Sequence, residues 1–210
     1  MRTGTTDQIE LLLLRHGATR SNEEGRYLGQ TDEPLSEAGR QKLLRDKQNL
    51  SMKQPDLLFS GPMTRCRESA QLLFDAQPIL IPEWTEMDFG NFEGKSYREL
   101  SGDPDYQAWI DSGGTLAFPG GEGREEFTER SKKGMDRMLA AVSEWKKSNR
   151  PAGDLVRAAA LVHGGTIMAL VSSLTGGEYF DFQVKCGEGC LLHLSADEQE
   201  RPVLQDYKKT

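Results

Sequence analysis

The chain has 210 residues, of which 28% are charged, and its formal net charge at pH 7 is -7. This length can bury one substantial core, so we expect a single domain over residues 1–210. The acidic balance argues against an extended nucleic-acid or anionic-membrane surface, although it is compatible with a small cationic pocket for a phosphate. Three cysteines without framework spacing predict free thiols and a cytoplasmic location.

The first predicted element is a buried strand over residues 9–14 that runs directly into Arg15, His16 and Gly17. Its four consecutive leucines suit a parallel strand that is covered on both faces. The run is too short for a signal-peptide core or a membrane span. Because ligands bind at the carboxyl ends of strands in open α/β sheets, we expect the triplet to lie at the active-site edge.

Further strands and helices alternate along the chain. A helix is predicted after the N-cap Ser36, a second with Pro62 in its first turn, and a third over residues 166–174. The remaining predicted strands cover residues 56–60, 79–81, 154–162 and 191–194. This alternation predicts an α/β three-layer sandwich with a mostly parallel central sheet and helices on both faces.

The middle of the chain departs from this alternation. Residues 83–121 are rich in glycine, acidic residues and aromatic residues, with weak periodicity, whereas residues 122–147 have the apolar spacing of one long helix. Long functional loops commonly act as lids or binding loops. We therefore expect residues 83–121 to form a loop and helix excursion over the active-site edge.

Several short motifs occur in an order that is typical of one enzyme family. Together they resemble the signatures of the histidine phosphatase superfamily, the phosphoglycerate-mutase-like proteins, and they span most of the chain. An Arg-His-Gly triplet alone would be weak evidence, but successive motifs on the expected elements are specific. The motifs are residues 15–22 (RHGATRSN), 25–32 with 34–39, 60–70 (SGPMTRCRESA), 86–94 (EMDFGNFEG) and 161–165 (LVHGG).

The resemblance implies a phosphoryl transfer through His16. A neutral imidazole nitrogen can attack phosphorus near pH 7, provided that the other ring nitrogen donates to a fixed acceptor. In the family this acceptor is the carbonyl of the following glycine, which is Gly17 here. The product would be a phosphohistidine that water then hydrolyses.

The charge that develops on the transferred group requires fixed cations and donors. Arg15 and Arg65 suit this task because a guanidinium offers a planar fork of donors and keeps its charge. The resemblance adds His163 to this catalytic set. It also implies a group of phosphate-binding or substrate-binding residues, namely Asn22, Gly17, Thr19, Gly29 and Gly164. With so many donors we expect neither a metal nor a cofactor.

Glu86 matches the position of the family's general acid. A leaving alkoxide needs a proton, and one carboxyl with a raised pKa can deliver it and later accept one from water. Asp88 and Glu93 are the local rivals, and motif alignment rather than physics favours Glu86.

Simpler interpretations apply to several other residues. His193 alternates with leucines and is expected on a sheet face, and Arg20, Arg26 and Arg40 are expected as surface charge. Cys186 and Cys190 are spaced like metal ligands but lack a second pair, so two structural thiols are favoured. The aromatic residues of the excursion have two interpretations, a substrate pocket and packing on the sheet, and packing is favoured for at least two of them; these residues are Tyr106, Trp109 and Phe118.

Within the family the sequence favours a phosphatase. Mutases of this family carry a long insertion with paired arginines, whereas here Lys95, Arg98 and Arg124 stand apart. The family often has glutamate where this chain has Ala18, a position without a chemical role in the mechanism. Residues 118–122, which feed a long helix, resemble the alpha-ribazole phosphatase branch, although sugar-phosphate phosphatases share this arrangement.

The function expected from the sequence is hydrolysis of a small-molecule phosphate ester, such as alpha-ribazole 5'-phosphate or a sugar phosphate. The alternatives are a mutase-type phosphoryl transferase and a non-catalytic relative that binds phosphate or another protein. We expect no nucleic-acid or membrane partner. The oligomeric state stays open, with a homodimer as one alternative.

Overall fold

The computed structural model describes residues 8–149, 155–196 and 202–210. The strands are β1 (Gln8–Arg15), β2 (Leu57–Ser60), β3 (Ile79–Leu80), β4 (Leu155–Val162), β5 (Gly189–Ala196) and β6 (Pro202–Lys209). The α-helices are α1 (Arg20–Glu23), α2 (Glu37–Asp46), α3 (Thr64–Phe74), α4 (Pro104–Asp111), α5 (Arg124–Asn149) and α6 (Gly164–Thr175). Residue 154, predicted as the start of a strand, lies outside the described ranges.

All these strands form one sheet in the order β3-β2-β4-β1-β5-β6. The first four of that order are mutually parallel, and β5 and β6 are antiparallel to their neighbours. This confirms the predicted α/β class with a mostly parallel central sheet. Strand β6 was not predicted.

The leucines of β1 alternate between two cores. Leu11 and Leu13 pack against α5 and α6, whereas Leu12 and Leu14 pack against α2 and α3. All four are almost completely buried, and each stabilises the fold by about 2 kcal/mol relative to an exposed leucine. The central sheet is therefore sandwiched between two helical layers, as predicted.

The active-site edge lies where adjacent strands send their connections to opposite faces. The chain leaving β1 reaches α2 on one face, and the chain leaving β4 enters α6 on the other. Parallel pairing places Arg15 opposite Val162, so that His16 and His163 follow side by side. Such a divergence opens a crevice at the carboxyl ends of the strands, which is where ligands bind in α/β sheets.

Residues 83–121 contain α4 and build a small core of their own. Phe92, Leu100 and Phe118 are buried there against Phe127 of α5 and Ala169 of α6. The excursion is thus packed onto the two helices beside the site.

Several predicted boundaries were displaced. The helix predicted to include Pro62 in its first turn begins only at Thr64, with Met63 as its N-cap. Amides of the first turn donate to the carbonyl of Met63, so Pro62 precedes the helix. Helix α6 starts at Gly164 rather than at residue 166. The N–H of Ile167 donates to the carbonyl of His163, so that His163 is the N-cap. No helix within the described ranges is long and apolar enough to cross a bilayer.

Candidate active site

Two buried histidines meet at the carboxyl ends of β1 and β4. The ring centroids of His16 and His163 lie 5.2 Å apart in an edge-to-face arrangement. The backbone N–H of His16 donates to the carbonyl of Val162, which fixes the two strand ends relative to each other. Both imidazoles therefore lie directly after the ends of two neighbouring strands.

The tautomer of His16 is set by its own backbone. Its Nδ1 lies 2.7 Å from the carbonyl oxygen of Gly17, as the resemblance implied. A carbonyl only accepts, so Nδ1 carries the hydrogen and Nε2 keeps its lone pair. Burial, followed by the charges of Arg65 and Arg15, lowers the pKa of His16 well below its usual value. The ring is therefore neutral and nucleophilic at pH 7.

Two guanidinium groups flank the histidines without carboxylate partners. Arg65 is fully buried and donates to the carbonyls of Thr31 (2.8 Å) and Gly29 (2.9 Å), while Arg15 donates to that of Val184 (2.9 Å). Within the described ranges neither forms a salt bridge, and the buried Nε of each has no hydrogen-bond partner. Two buried cations without carboxylate partners favour the binding of an anion at this place.

Glu86 is the acidic side chain next to the histidines. Its Oε1 accepts from the N–H of Met87 at 2.9 Å, and its Oε2 lies 3.9 Å from Nδ1 of His163. Burial raises the pKa of Glu86, against the opposing effects of the Met87 N–H and of Arg65 and Arg15. A carboxyl that holds its proton beside a phosphate site can act as a general acid.

The two rival carboxylates are engaged elsewhere. Asp88 accepts from the N–H of Gly90 at 2.8 Å, and Glu93 accepts from the N–H groups of Gly29 and Thr31. Both carboxylates thus stabilise loops. These contacts support the preference for Glu86 over the other two.

The predicted phosphate-binding residues have different roles in the structure. Thr19 is fully buried and caps α1, where its Oγ1 accepts from the N–H of Asn22. The Oδ1 of Asn22 accepts in turn from the backbone N–H of Thr19, so the two side chains form a reciprocal cap. Gly29 uses its N–H for Glu93 and its carbonyl for Arg65, so it holds Arg65 in place.

Two glycines allow close packing at the start of α6. A Cβ at Gly164 would lie 3.4 Å from Cζ and Nε of Arg15, and a Cβ at Gly165 only 2.5 Å from Oε1 of Glu86. The backbone at the helix N-terminus can therefore approach both the cation and the acid. This position suits the predicted donor role of the Gly164 amide.

Sequence reasoning missed the residues that hold the Glu86 loop. The carbonyl of Glu86 accepts from Nε2 of Gln30 at 2.8 Å and from Nη2 of Arg130 at 3.4 Å. Arg130 stands among other charged residues of α5, where its sequence context is typical of a solvated helix face. Only the packing of α5 against the loop distinguishes it.

The remaining expectations concern residues around the site. Trp109 and Phe118 line a cavity of about 250 Å³ next to Glu86, whereas Tyr106 is not part of its wall. His193 lies on the sheet near Glu10, and Arg20, Arg26 and Arg40 form surface ion pairs. All three cysteines are free, and the described residues contain no cluster of three or more side chains suited to a metal ion.

Comparison with known proteins identifies similar chains. A model described as the histidine phosphatase superfamily (branch 1) matches residues 11–209. The glucosyl-3-phosphoglycerate phosphatase of Mycobacterium tuberculosis is 31% identical over 169 residues, which cover 78% of this chain and 74% of that protein. The alpha-ribazole phosphatase structure from Shigella flexneri has a TM-score of 0.70 at 26% identity, covering 93% of this chain and 94% of that one. A Thermus thermophilus structure described as phosphoglycerate mutase has a TM-score of 0.62 at 30% identity, covering 92% and 96%.

Proposed function

The chain belongs to branch 1 of the histidine phosphatase superfamily, and we propose that it hydrolyses small phosphate monoesters through a phosphohistidine at His16. The observation that carries this proposal is the placement of Arg15 and Arg65 beside the buried His16 and His163, with no salt bridge to either arginine in the described part of the chain. The oxygens of a phosphoryl group accept hydrogen bonds from the N–H groups of a guanidinium, and their negative charge pairs with both arginines.

In the first half-reaction, Nε2 of His16 attacks phosphorus while the bond to the leaving oxygen breaks. The hydrogen bond from Nδ1 to Gly17 keeps the attacking lone pair directed into the site. Arg15, Arg65 and His163 stabilise the charge on the equatorial oxygens. Glu86 transfers its proton to the leaving oxygen, so an alcohol departs rather than an alkoxide.

In the second half-reaction, water attacks phosphorus and the P–N bond breaks. Glu86, now ionised, accepts the proton of this water, which restores both its own acid form and the free His16 imidazole. The burial that raises the pKa of Glu86 favours this return of the proton. Phosphate then leaves from the guanidinium groups.

Release of inorganic phosphate separates this activity from that of a mutase. We expect phosphate release from p-nitrophenyl phosphate and other monoesters, with an unchanged rate in EDTA, because the guanidinium groups of Arg15 and Arg65 supply the positive charge. With a phosphoglycerate and a bisphosphoglycerate primer we expect hydrolysis. Isomerisation without phosphate release would contradict the phosphatase assignment, and a strong loss of rate in EDTA would contradict its metal independence.

We also propose a cytoplasmic location and no nucleic-acid partner. The free thiols of Cys66, Cys186 and Cys190 support a reducing compartment. The net charge of -7 supports the absence of an extended polyanion-binding surface.

A further inference from the structure

A cavity of about 250 Å³ begins at the acid Glu86 and extends under residues 83–121. Glu86 lines this cavity and also lies 3.9 Å from His163, at the phosphate site. A leaving oxygen that takes its proton from Glu86 must lie beside this carboxyl. The part of the substrate attached to that oxygen is therefore directed into the cavity.

The walls of this cavity are mainly aromatic. Trp109 stacks on Phe118 with ring centroids 4.9 Å apart, and Phe89 meets Phe118 edge-to-face at 5.0 Å. Tyr27 and Tyr179 also line the cavity. Aromatic surfaces favour flat apolar groups, since such groups bury area and stack on the rings.

One cation, Arg124, lines this mainly aromatic cavity. Its guanidinium lies 5.5 Å from the ring centroid of Tyr179, and no carboxylate within the described ranges forms a salt bridge with it. It stands at the first residue of α5, where the helix dipole disfavours a positive charge. The contact with Tyr179 leaves the positive charge of Arg124 without an anionic partner, so an anionic ligand in the cavity would pair with it.

We propose that the leaving group of the substrate combines a flat apolar ring with a carboxylate. This inference rests on the proposed function, because it takes Glu86 as the group that protonates the leaving oxygen. The ring packs between the aromatic walls, and the carboxylate pairs with Arg124. A neutral sugar would leave the cation without an anionic partner.

Two matched esters test this substrate class. 4-Carboxyphenyl phosphate and 4-carbamoylphenyl phosphate differ in charge but have the same ring. We expect the wild type to prefer the carboxylate, and Arg124→Gln to lower kcat/KM for it about tenfold more than for the carboxamide, the lower range for a charged hydrogen bond. The different leaving-group reactivities of the two esters cancel when the ratio of their kcat/KM values in the wild type is divided by the same ratio in Arg124→Gln.

Arg98→Gln is the matched control, because Arg98 is an exposed arginine of the excursion whose Nε donates to Tyr97. It should leave the ratio unchanged, and Arg124→Lys should retain part of the preference. As a test of the ring, 4-hydroxybenzoate should inhibit p-nitrophenyl phosphate turnover more strongly than glycolate. Equal losses on both esters, or no preference in the wild type, would overturn the substrate class. Absence of turnover with every monoester would instead overturn the proposed function.

Arg130 carries a second, independent inference. Its Nη1 donates to the carbonyls of Glu83 (2.7 Å) and Thr85 (2.8 Å), and its Nη2 reaches that of Glu86 (3.4 Å). The same guanidinium binds the Glu122 carboxylate through Nε (3.0 Å) and Nη2 (2.7 Å). One side chain of α5 thus holds three carbonyls of the loop that ends in the acid.

We infer that Arg130 is a positioning residue for Glu86. A lysine has no planar fork and cannot reach these acceptors together. Displacement of Glu86 would mainly slow esters whose leaving oxygen needs a proton, because small misplacements of a catalytic group have large effects on the rate.

The test compares an alkyl phosphate with p-nitrophenyl phosphate in Arg130→Met and Arg130→Lys. We expect the alkyl ester to lose about tenfold more kcat than the aryl ester. Arg137→Met is the control, because Arg137 also lies on α5 but, among the described residues, its side chain binds only the Glu83 carboxylate. A merely structural role would lower both rates equally, and that result would refute the positioning role.

Discussion

Replacement of His16 by alanine is expected to lower kcat on every phosphate monoester by about 10⁴-fold or more, the scale seen when a covalent nucleophile is removed. The cause is specific, since P–N bond formation requires the Nε2 lone pair that the Gly17 contact leaves free. The lowered pKa of His16 means that the wild type keeps its neutral nucleophile under mildly acidic conditions. Phosphate release measured from pH 5 to pH 8 checks both points.

The chain offers a matched control, because His193 is its third histidine. His193 lies near Glu10 on the sheet, away from the two strand ends that carry the site. His193→Ala should therefore retain full turnover. With ³²P-labelled substrate, alkaline quenching should trap label on the wild type but not on His16→Ala. Retained turnover in His16→Ala would remove this residue as the nucleophile.

The sequence predicted the central parts of the fold because their signals are local. Leu11–14 form a strand that any parallel sheet would bury, and the triplet that follows must then lie at the sheet edge. Strand β6 carries no such signal, because most of its side chains are exposed and it is defined by pairing with β5. Its apolar alternation is too weak to identify an edge strand.

The site shows the same division between local and long-range information. Motif position was sufficient to single out His16, Arg65 and His163, which the structure brings together. The supports of this set depend on contacts between distant segments, such as Gly29 with Arg65 across 36 positions and Arg130 with Glu86 across 44. No local pattern encodes such contacts, since glycine in a loop and arginine on a helix are common everywhere.

Substitution of Glu86 by glutamine is expected to slow alkyl phosphates by about 10²–10³-fold and p-nitrophenyl phosphate by less than about tenfold. Glutamine keeps the shape of the side chain but cannot donate an acidic proton. An alkoxide is a poor leaving group without that proton, whereas nitrophenolate leaves without help. Initial rates on the two esters, measured side by side, give the discrimination.

The pH dependence supplies an independent test of the same residue. Because burial raises the pKa of Glu86, its acid form persists above the usual range, and the wild-type rate on alkyl esters should fall as pH rises through that pKa. The ratio of wild-type to Glu86→Gln rates should show this fall, because the ionisation of the substrate cancels in it.

The unfolding temperature of Glu86→Gln shows whether a loss of rate reflects a lost proton donor or an unfolded protein. A carboxyl whose pKa is raised in the folded state disfavours folding once it is ionised, so its contribution to stability is lost as pH rises. Glu86→Gln should therefore unfold at a temperature at least as high as the wild type at pH 8. Asp88→Asn provides the comparison, because Asp88 binds the Gly90 N–H and should not discriminate between the esters. If Asp88→Asn instead slowed alkyl esters selectively while Glu86→Gln slowed both equally, Asp88 would be the acid.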